Sequence, residues 1–306
     1  MEIYLAQTQG FCAGVAYAID IVETALKKYG TPLYVYHEIV HNNFVVDDFR
    51  RRGIIFVEEL DNVPDGSRII FSAHGVPPHI LKAAREKGLL FIDATCPLVT
   101  KVHKEAVKYS DRKCEVILIG HKGHQEIFGT AGYVDPKYLH IVDNEKDIEN
   151  LEIDKDADVA YITQTTLSVS ETQGMIAKLK ERFSNLAAPP RADICYATQN
   201  RQDAVKELAK ICDIIIVCGS STSSNSNRLR ETGQAQGVDS YIVDTADELD
   251  LNWMKAKARV GVSSGASVPR CIVENLVSKI KKVFPDARVN EFENPEKNIV
   301  FPLPPI

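Results

Sequence analysis

Three of the seven cysteines stand in closely similar surroundings and could together hold a metal cluster. Cys12, Cys96 and Cys195 each lie between an extended apolar run and a segment with a helical pattern, and they are almost evenly spaced along the chain. An odd set of this kind does not indicate a network of disulfides. Thiolates are soft ligands that favour zinc and iron–sulfur clusters. Three thiolates that converge would therefore form a soft-metal site with one position left open.

The place before a helix suits a cysteine that binds metal. The partial positive charge and the unpaired N–H groups of a helix N-terminus stabilise a thiolate. Three thiolates can hold a [4Fe–4S] cluster and leave the fourth iron open to a substrate, although the close C-x₂-C-x₂-C spacing of ferredoxins is absent. A dispersed set predicts a cluster held between domains. Structural zinc is the alternative, but zinc sites usually contain close C-x₂₋₄-C pairs, which this sequence lacks.

The other cysteines are interpreted as small buried hydrophobic residues, because they lie among apolar neighbours in strand or helix patterns. They are Cys114, Cys212, Cys218 and Cys271. A single cysteine is more often a packing residue than a ligand, and only the shared context of the first three sets them apart.

Length and composition indicate a soluble protein of two or three domains. The chain has 306 residues, of which 44% are hydrophobic and 25% charged, as in ordinary globular proteins. The net charge of −6 and the lack of a basic tract exclude nucleic acid as the expected partner. No apolar stretch is long enough to span a bilayer, and the N-terminus has the pattern of a strand rather than a signal peptide. We therefore expect a cytoplasmic protein, in which disulfides are improbable.

The elements that position the cysteines follow one plan three times. Each unit alternates short apolar strands with helices, a pattern that predicts an α/β fold with mainly parallel sheets covered by helices on both faces. The predicted organisation is a first lobe at 1–96 that includes the N-terminal strand, a second lobe at 97–194, a third lobe at 195–284 and a C-terminal tail at 285–306 that packs over the lobes.

Polar loops follow several of the predicted strands, where parallel sheets bind their ligands. They contain His41 and His74 in the first unit, His124, Glu126 and Thr165 in the second, and Ser223, Ser224, Asn225 and Ser267 in the third. Hydroxyl, amide and backbone N–H donors at a strand end that opens a helix suit a phosphorylated ligand. Glu126 is the one carboxylate inside such a loop, and near a metal it could transfer protons.

The segment HEIVH, which runs from His37 to His41, matches the zinc-protease pattern H-E-x-x-H. That motif binds zinc only on a helix, where its two histidines share a face. Here it follows the β-rich run PLYVY, and in a strand the two histidines would lie about 13 Å apart. The protease interpretation is therefore disfavoured.

Motifs over almost the whole chain resemble the IspH/LytB family of 4-hydroxy-3-methylbut-2-enyl diphosphate reductases. The matching segments are GFCAGV, HEIVHN, FSAHGV, DATCPLVTKVH, IGHKGH, TQTTLSV, DICYATQNRQ, SSNSNRL, GVSSGAS and NIVF. Together they are far more specific than any one of them alone. A local departure lies at Gln125 and Ile127, on either side of Glu126.

The resemblance implies three αβ lobes with pseudo-threefold symmetry around a central [4Fe–4S] cluster ligated by Cys12, Cys96 and Cys195. It also implies that Thr165 and Glu126 relay protons while the substrate hydroxyl is removed as water. The products would be isopentenyl and dimethylallyl diphosphates, from the last step of the methylerythritol phosphate pathway. The residues implied to bind the diphosphate are His41, His74, His124, Thr165, Thr166, Ser223, Ser224, Asn225 and Ser267.

Partners and alternatives complete the prediction. Reduced flavodoxin or ferredoxin is the expected electron donor, by analogy and because the sequence has no nicotinamide or flavin fingerprint; a monomer is favoured. A non-catalytic iron–sulfur or phosphate-binding sensor is the main alternative, and a zinc hydrolase is the third. Glu126 discriminates the first two, since a binding module needs no carboxylate beside its anion loops.

Overall fold

The computed structural model describes residues 1–254, 257–296 and 298–306. In chain order the strands are β1 (Glu2–Leu5), β2 (Leu33–Tyr36), β3 (Ile54–Val57), β4 (Arg68–Phe71), β5 (Leu90–Asp93), β6 (Glu115–Ile119), β7 (Leu139–Val142), β8 (Val159–Thr163), β9 (Leu186–Ala187), β10 (Ile214–Cys218), β11 (Asp239–Val243), β12 (Arg259–Ser264) and β13 (Arg288–Asn290).

The helices lie between these strands, as expected for α/β units. They are α1 (Ala13–Tyr29), α2 (Asn43–Arg51), α3 (Pro78–Glu86), α4 (Pro97–Asp111), α5 (Gln125–Ala131), α6 (Glu145–Glu149), α7 (Val169–Arg182), α8 (Tyr196–Ile211), α9 (Ser224–Ala235) and α10 (Arg270–Val283). Short 3-10 turns occur at Leu60–Asn62, Pro136–Tyr138, Ala246–Glu248 and Leu251–Met254.

The strands form three parallel sheets, and the predicted α/β class is confirmed. Their strand orders are β3-β2-β4-β5, β7-β6-β8-β9 and β11-β10-β12-β1-β13. Most residues of the central strands are apolar; Ile214–Cys218, for example, is buried along its whole length. Continuous apolar strands of this kind form where helices cover both faces of a parallel sheet.

The position of β1 differs from the prediction. The N-terminal strand was expected in the first lobe, but it pairs in parallel with β12 and β13 of the five-stranded sheet. Ile3 and Leu5 there belong to one apolar cluster with residues of α10, among them Leu276. Sequence order does not specify which sheet a terminal strand joins, and burial of these side chains decides it. The remaining lobe boundaries stay a prediction.

The chain divides into two compact units. One contains Met1–Ala16, His41–Asp48 and Tyr196–Phe301, and the other contains Tyr17–Val40, Phe49–Cys195 and Pro302–Ile306. The first holds the five-stranded sheet, and the second holds both four-stranded sheets.

The HEIVH segment is not helical. The strand before it ends at Tyr36, and His37 adopts a positive φ of 58°, while its Nδ1 lies 2.5 Å from Oε2 of Glu58. The segment therefore lacks the helix that the zinc-protease motif requires, but the prediction that the strand continues through it is wrong, because the backbone turns at His37. No helix in the described ranges is long and apolar enough to cross a membrane.

Candidate active site

The three singled-out cysteines each stand at the start of a helix, as predicted. Cys96 is the N-cap of α4, and Cys12 and Cys195 directly precede α1 and α8. All three are partly exposed and carry thiols rather than disulfides. The backbone N–H of Val15 points at the Cys12 sulfur, 3.4 Å away, which is the contact that a thiolate at a helix N-terminus receives.

The other cysteines separate into two groups. Cys114, Cys212 and Cys218 are buried, as predicted, and burial raises the pKa of Cys212 and of Cys218 to about 12. Such thiols stay protonated at neutral pH and are poor ligands. The prediction for Cys271 is wrong, because this residue is exposed on the first turn of α10. Its apolar sequence neighbours face the core, whereas position 271 faces outward.

Each cysteine is held by one backbone hydrogen bond of the same kind. The N–H groups of Cys12, Cys96 and Cys195 donate to the carbonyls of Ala266, Ala73 and Thr165, each over 3.0 Å. Each acceptor directly precedes a predicted ligand-binding residue, namely Ser267, His74 or Thr166. The threefold repeat therefore extends from the strands to the individual bonds that position the cysteines.

The predicted polar residues lie at the carboxyl ends of the central strands of each sheet. His74, Thr165 and Ser267 follow β4, β8 and β12 by two or three residues, and His41, His124 and Ser223 follow β2, β6 and β10. The second set leads into α2, α5 and α9. These ends are where ligands bind in parallel α/β sheets. The prediction that the repeat brings polar loops to the same edge of each sheet agrees with this placement.

Glu126 and Thr165 form the most enclosed polar contact of the candidate site. The Glu126 side chain is 2% exposed. Its Oε1 accepts the backbone N–H of Thr165 at 2.6 Å, and its Oε2 accepts the Thr165 hydroxyl at 2.9 Å. Thr165 also holds the Cys195 N–H through its carbonyl. One residue therefore links the buried carboxyl to a cysteine loop.

Burial raises the pKa of the Glu126 carboxyl to about 7, against an ordinary value of 4.5, although the two hydrogen bonds from Thr165 lower it. A carboxyl group with this pKa exchanges a proton near neutral pH, as a general acid requires. The same group in a solvated loop would be ionised at pH 7 and could donate no proton.

The raised pKa of Glu126 predicts a pH-dependent stability. The folded carboxyl binds its proton more tightly than the unfolded one, so the resulting stabilisation is present below about pH 4.5 and is lost as pH rises through about 7. In metal-free protein, the unfolding free energy of wild type minus that of Glu126→Gln should fall by about 3 kcal/mol across this window. Denaturant titrations at both ends check it, and an unchanged difference would contradict it. Glu105, whose pKa burial also raises to about 7, is present in both proteins and cancels.

His124 is the N-cap of α5, and its Nδ1 accepts the backbone N–H of Glu126 at 3.1 Å. This bond places the proton of a neutral ring on Nε2, which is then a donor. The ring of His74 lies 5.8 Å from that of His124 between centroids and is nearly perpendicular to it. His74 and His124, two of the predicted anion-binding histidines, are therefore neighbours within the compact unit that contains both four-stranded sheets.

Close backbone packing sets the distance between these two histidine loops. A Cβ on Gly129 of α5 would lie 3.0 Å from the carbonyl oxygen of Gly75, which follows His74. A Cβ on Gly75 would meet the His103 ring at 2.5 Å. His103 is buried, and burial lowers its pKa to about 4, so it packs as a neutral ring stacked on Tyr133. The sequence analysis missed these supporting residues, since only spatial contact reveals them.

In the compact unit that contains the five-stranded sheet, Ser223 caps α9 by accepting the backbone N–H of Ser226 at 3.3 Å. Ser267 donates its hydroxyl to the His41 carbonyl at 3.0 Å. Asn225 is 5% exposed, and both its Nδ2 and its Oδ1 lack a hydrogen-bond partner among the described residues. Buried amides are rarely left unsatisfied, so this side chain has the character of a ligand-binding group.

Replacing Asn225 with Ala should therefore leave the melting temperature of the metal-free protein unchanged or slightly raised, because an unsatisfied amide is removed. Affinity for inorganic pyrophosphate, measured by calorimetry, should fall about tenfold, the worth of one hydrogen bond to a charged group. The matched control is Asn227→Ala. The Nδ2 of Asn227 donates to the carbonyls of Ser221 and Ser223, so removal of this side chain should lower the melting temperature. Equal destabilisation in both variants with unchanged affinity would contradict the assignment.

Among the described residues, no three His, Cys, Asp or Glu side chains are grouped so that they could hold a single metal ion. A four-iron cluster places each thiolate on a different iron, so it does not require such a group.

Comparisons with known proteins give the family. The family model described as LytB protein matches residues 3–281. The 4-hydroxy-3-methylbut-2-enyl diphosphate reductase of Chromobacterium violaceum is 52% identical, over 99% of this chain and 97% of that protein. The reductase of the same name from Neisseria meningitidis is 50% identical, over 99% of this chain and 94% of that protein.

A solved structure agrees with the sequence relatives. The E-1-hydroxy-2-methyl-but-2-enyl-4-diphosphate reductase of Plasmodium falciparum superimposes with a TM-score of 0.95 and 38% identity, over 99% of this chain and 95% of that one. The three parallel α/β sheets, each with a cysteine loop and two polar loops, thus form the fold of that reductase over nearly the whole chain. The chain belongs to the LytB family.

Proposed function

We propose that this protein catalyses the reductive dehydroxylation of 4-hydroxy-3-methylbut-2-enyl diphosphate to isopentenyl and dimethylallyl diphosphates, the final step of the methylerythritol phosphate pathway. Relatives at 52% and 50% identity over nearly the full chain are named for this reductase. Within the molecule, the observation that carries the proposal is the buried Glu126 carboxyl, bonded through Thr165 to the Cys195 loop. This arrangement suits a reaction that must protonate a leaving hydroxyl beside a thiolate-bound centre.

Cys12, Cys96 and Cys195 are the ligands that we propose for a [4Fe–4S] cluster. The donor set fits this group, because each thiol is partly exposed at the start of a helix while Cys212 and Cys218 are buried and protonated. When bound, the cluster supplies electrons and a Lewis-acidic iron.

The overall reaction consumes two electrons and two protons and releases the hydroxyl as water. Glu126, with its pKa near 7, is the proton donor, and the Thr165 hydroxyl lies 2.9 Å from its Oε2 on the proposed relay. Thr165 thus orients the carboxyl with its N–H and passes the proton with its hydroxyl. Exclusion of water from this pair raises the pKa of the carboxyl, so that a substantial fraction of it is protonated at neutral pH.

Neutral donors bind the diphosphate in this proposal. Two observations support this: His124 Nδ1 accepts a backbone N–H, which leaves the proton of a neutral ring on Nε2, and the buried amide of Asn225 lacks a hydrogen-bond partner among the described residues. Uncharged N–H and O–H groups in a dry site stabilise phosphate oxygens strongly. The full proposed set is His41, His74, His124, Thr165, Thr166, Ser223, Ser224, Asn225 and Ser267.

The physiological setting follows from the chemistry. We expect a cytoplasmic protein, because reducing conditions keep the three thiolates available for the cluster. A monomer is the expected oligomeric state. Reduced flavodoxin or ferredoxin is the proposed electron donor.

The test is an assay of anaerobically reconstituted protein with the diphosphate substrate and a chemical reductant such as reduced viologen. We expect both five-carbon diphosphate products, identified by chromatography. Protein that carries iron and sulfide and binds the substrate but forms no product would instead support the sensor alternative. Bound zinc without iron would support the hydrolase alternative.

A further inference from the structure

The guanidinium of Arg201 is buried among fixed partners near the N-terminal cysteine loop. Arg201 lies on α8 and is 1% exposed. One terminal nitrogen donates to Oε2 of Glu296 and to the Ala197 carbonyl at 3.0 and 3.1 Å, and the other donates to the Gly10 carbonyl at 3.0 Å. A buried cation requires a partner of opposite charge, which Glu296 provides.

Glu296 is itself fixed in place. Its second oxygen, Oε1, accepts from the side-chain amide of Asn200 at 3.0 Å, and its side chain is 7% exposed. Both carboxylate oxygens therefore have donors from two consecutive residues of α8. The planar guanidinium spans three acceptors, a geometry that lysine cannot reproduce.

The Gly10 carbonyl lies two residues before Cys12. Gly10 has a φ of 76°, a conformation that favours glycine. The Cys12 N–H is bonded to the Ala266 carbonyl at 3.0 Å. The loop Gly10–Phe11–Cys12 is therefore fixed on both sides of Phe11, and the bond from Arg201 comes from a charged side chain.

We propose that the buried Arg201–Glu296 pair is a positioning device for the Cys12 loop. Glu296, from the C-terminal segment, holds the guanidinium in the orientation that fixes the Gly10 carbonyl and with it the thiol of Cys12. The proposal rests on the proposed role of Cys12 as a cluster ligand. Residues behind a metal ligand typically change metal affinity by 10- to 100-fold when they are replaced.

The test separates loop positioning from general stability. Glu296→Gln leaves a buried uncompensated cation and should lower the melting temperature of the metal-free protein. The double variant Arg201→Met with Glu296→Leu removes both charges. It should restore the melting temperature, since apolar residues commonly replace a buried ion pair without loss of stability. The double variant still lacks the hydrogen bond to the Gly10 carbonyl. Asp213→Asn is the control. Asp213 pairs with Arg259 at the amino end of β10, whereas the polar loop with Ser223 follows the carboxyl end of that strand.

Two readouts decide the outcome. In the double variant, chelator-induced iron loss from the reconstituted protein should be about tenfold faster than in wild type, and amide hydrogen exchange of residues 10–16 in the metal-free protein should be faster. Asp213→Asn should change neither. If the double variant lost iron at the same rate as the wild-type protein, the proposal would be overturned. If the wild-type protein binds no cluster, the proposed function fails. The hydrogen-exchange measurement is independent of the cluster, so unchanged exchange of residues 10–16 in the double variant would by itself overturn the proposed positioning of the Cys12 loop.

Discussion

Replacing Glu126 with Gln is expected to reduce turnover of the diphosphate substrate by about 10²- to 10⁴-fold, the range lost with a general acid. Gln has nearly the same shape and can still interact with the Thr165 hydroxyl, but its amide has no acidic proton to transfer. The iron and sulfide content of the anaerobically reconstituted variant should equal that of wild type, because Glu126 is not a proposed ligand. Steady-state kinetics and metal analysis on the same samples measure both quantities.

The chain offers a closely matched control for this experiment. Glu105 is also buried, its pKa is also raised to about 7, and it lies beside Lys101 and Asp193. Glu105→Gln makes the same chemical change at a second buried carboxyl and should keep turnover within about threefold, since the variant retains the proposed proton donor. Normal turnover in Glu126→Gln, or equal losses in both variants, would remove Glu126 from its assigned role.

The second large effect is expected from the cysteines. Cys96→Ser should lose the intact cluster and with it all measurable turnover, because serine is a far weaker ligand for iron in such clusters. The same change at Cys271, which is exposed, should leave both unaltered. Visible absorption and iron content after anaerobic reconstitution provide the measurement. A Cys96→Ser protein with the wild-type spectrum and activity would exclude Cys96 as a ligand.

Much of the candidate site follows from sequence because the chain repeats one unit three times. The position of Cys12, Cys96 and Cys195 at the start of a helix depends only on local patterns, and the structure confirms it. The loops that contain His74 and Thr165 likewise follow from strand ends. The roles assigned to these residues remain predictions.

The features that sequence missed all depend on distant contacts. β1 joins the five-stranded sheet through pairing with β12, more than 250 residues away. The hydrogen bond that Arg201 donates to Glu296 joins positions 95 residues apart. Cys271 has apolar neighbours, yet its place on the outer face of α10 exposes it. In each case tertiary packing selects among arrangements that local patterns permit equally.

The most direct test of the central claim measures iron, sulfide, zinc and turnover on one anaerobic preparation loaded to different extents. Our account predicts about four iron and four sulfide per chain at full loading. It also predicts conversion of 4-hydroxy-3-methylbut-2-enyl diphosphate to both five-carbon products in proportion to the iron bound. Zinc in place of iron, or turnover that does not follow iron content, would contradict it.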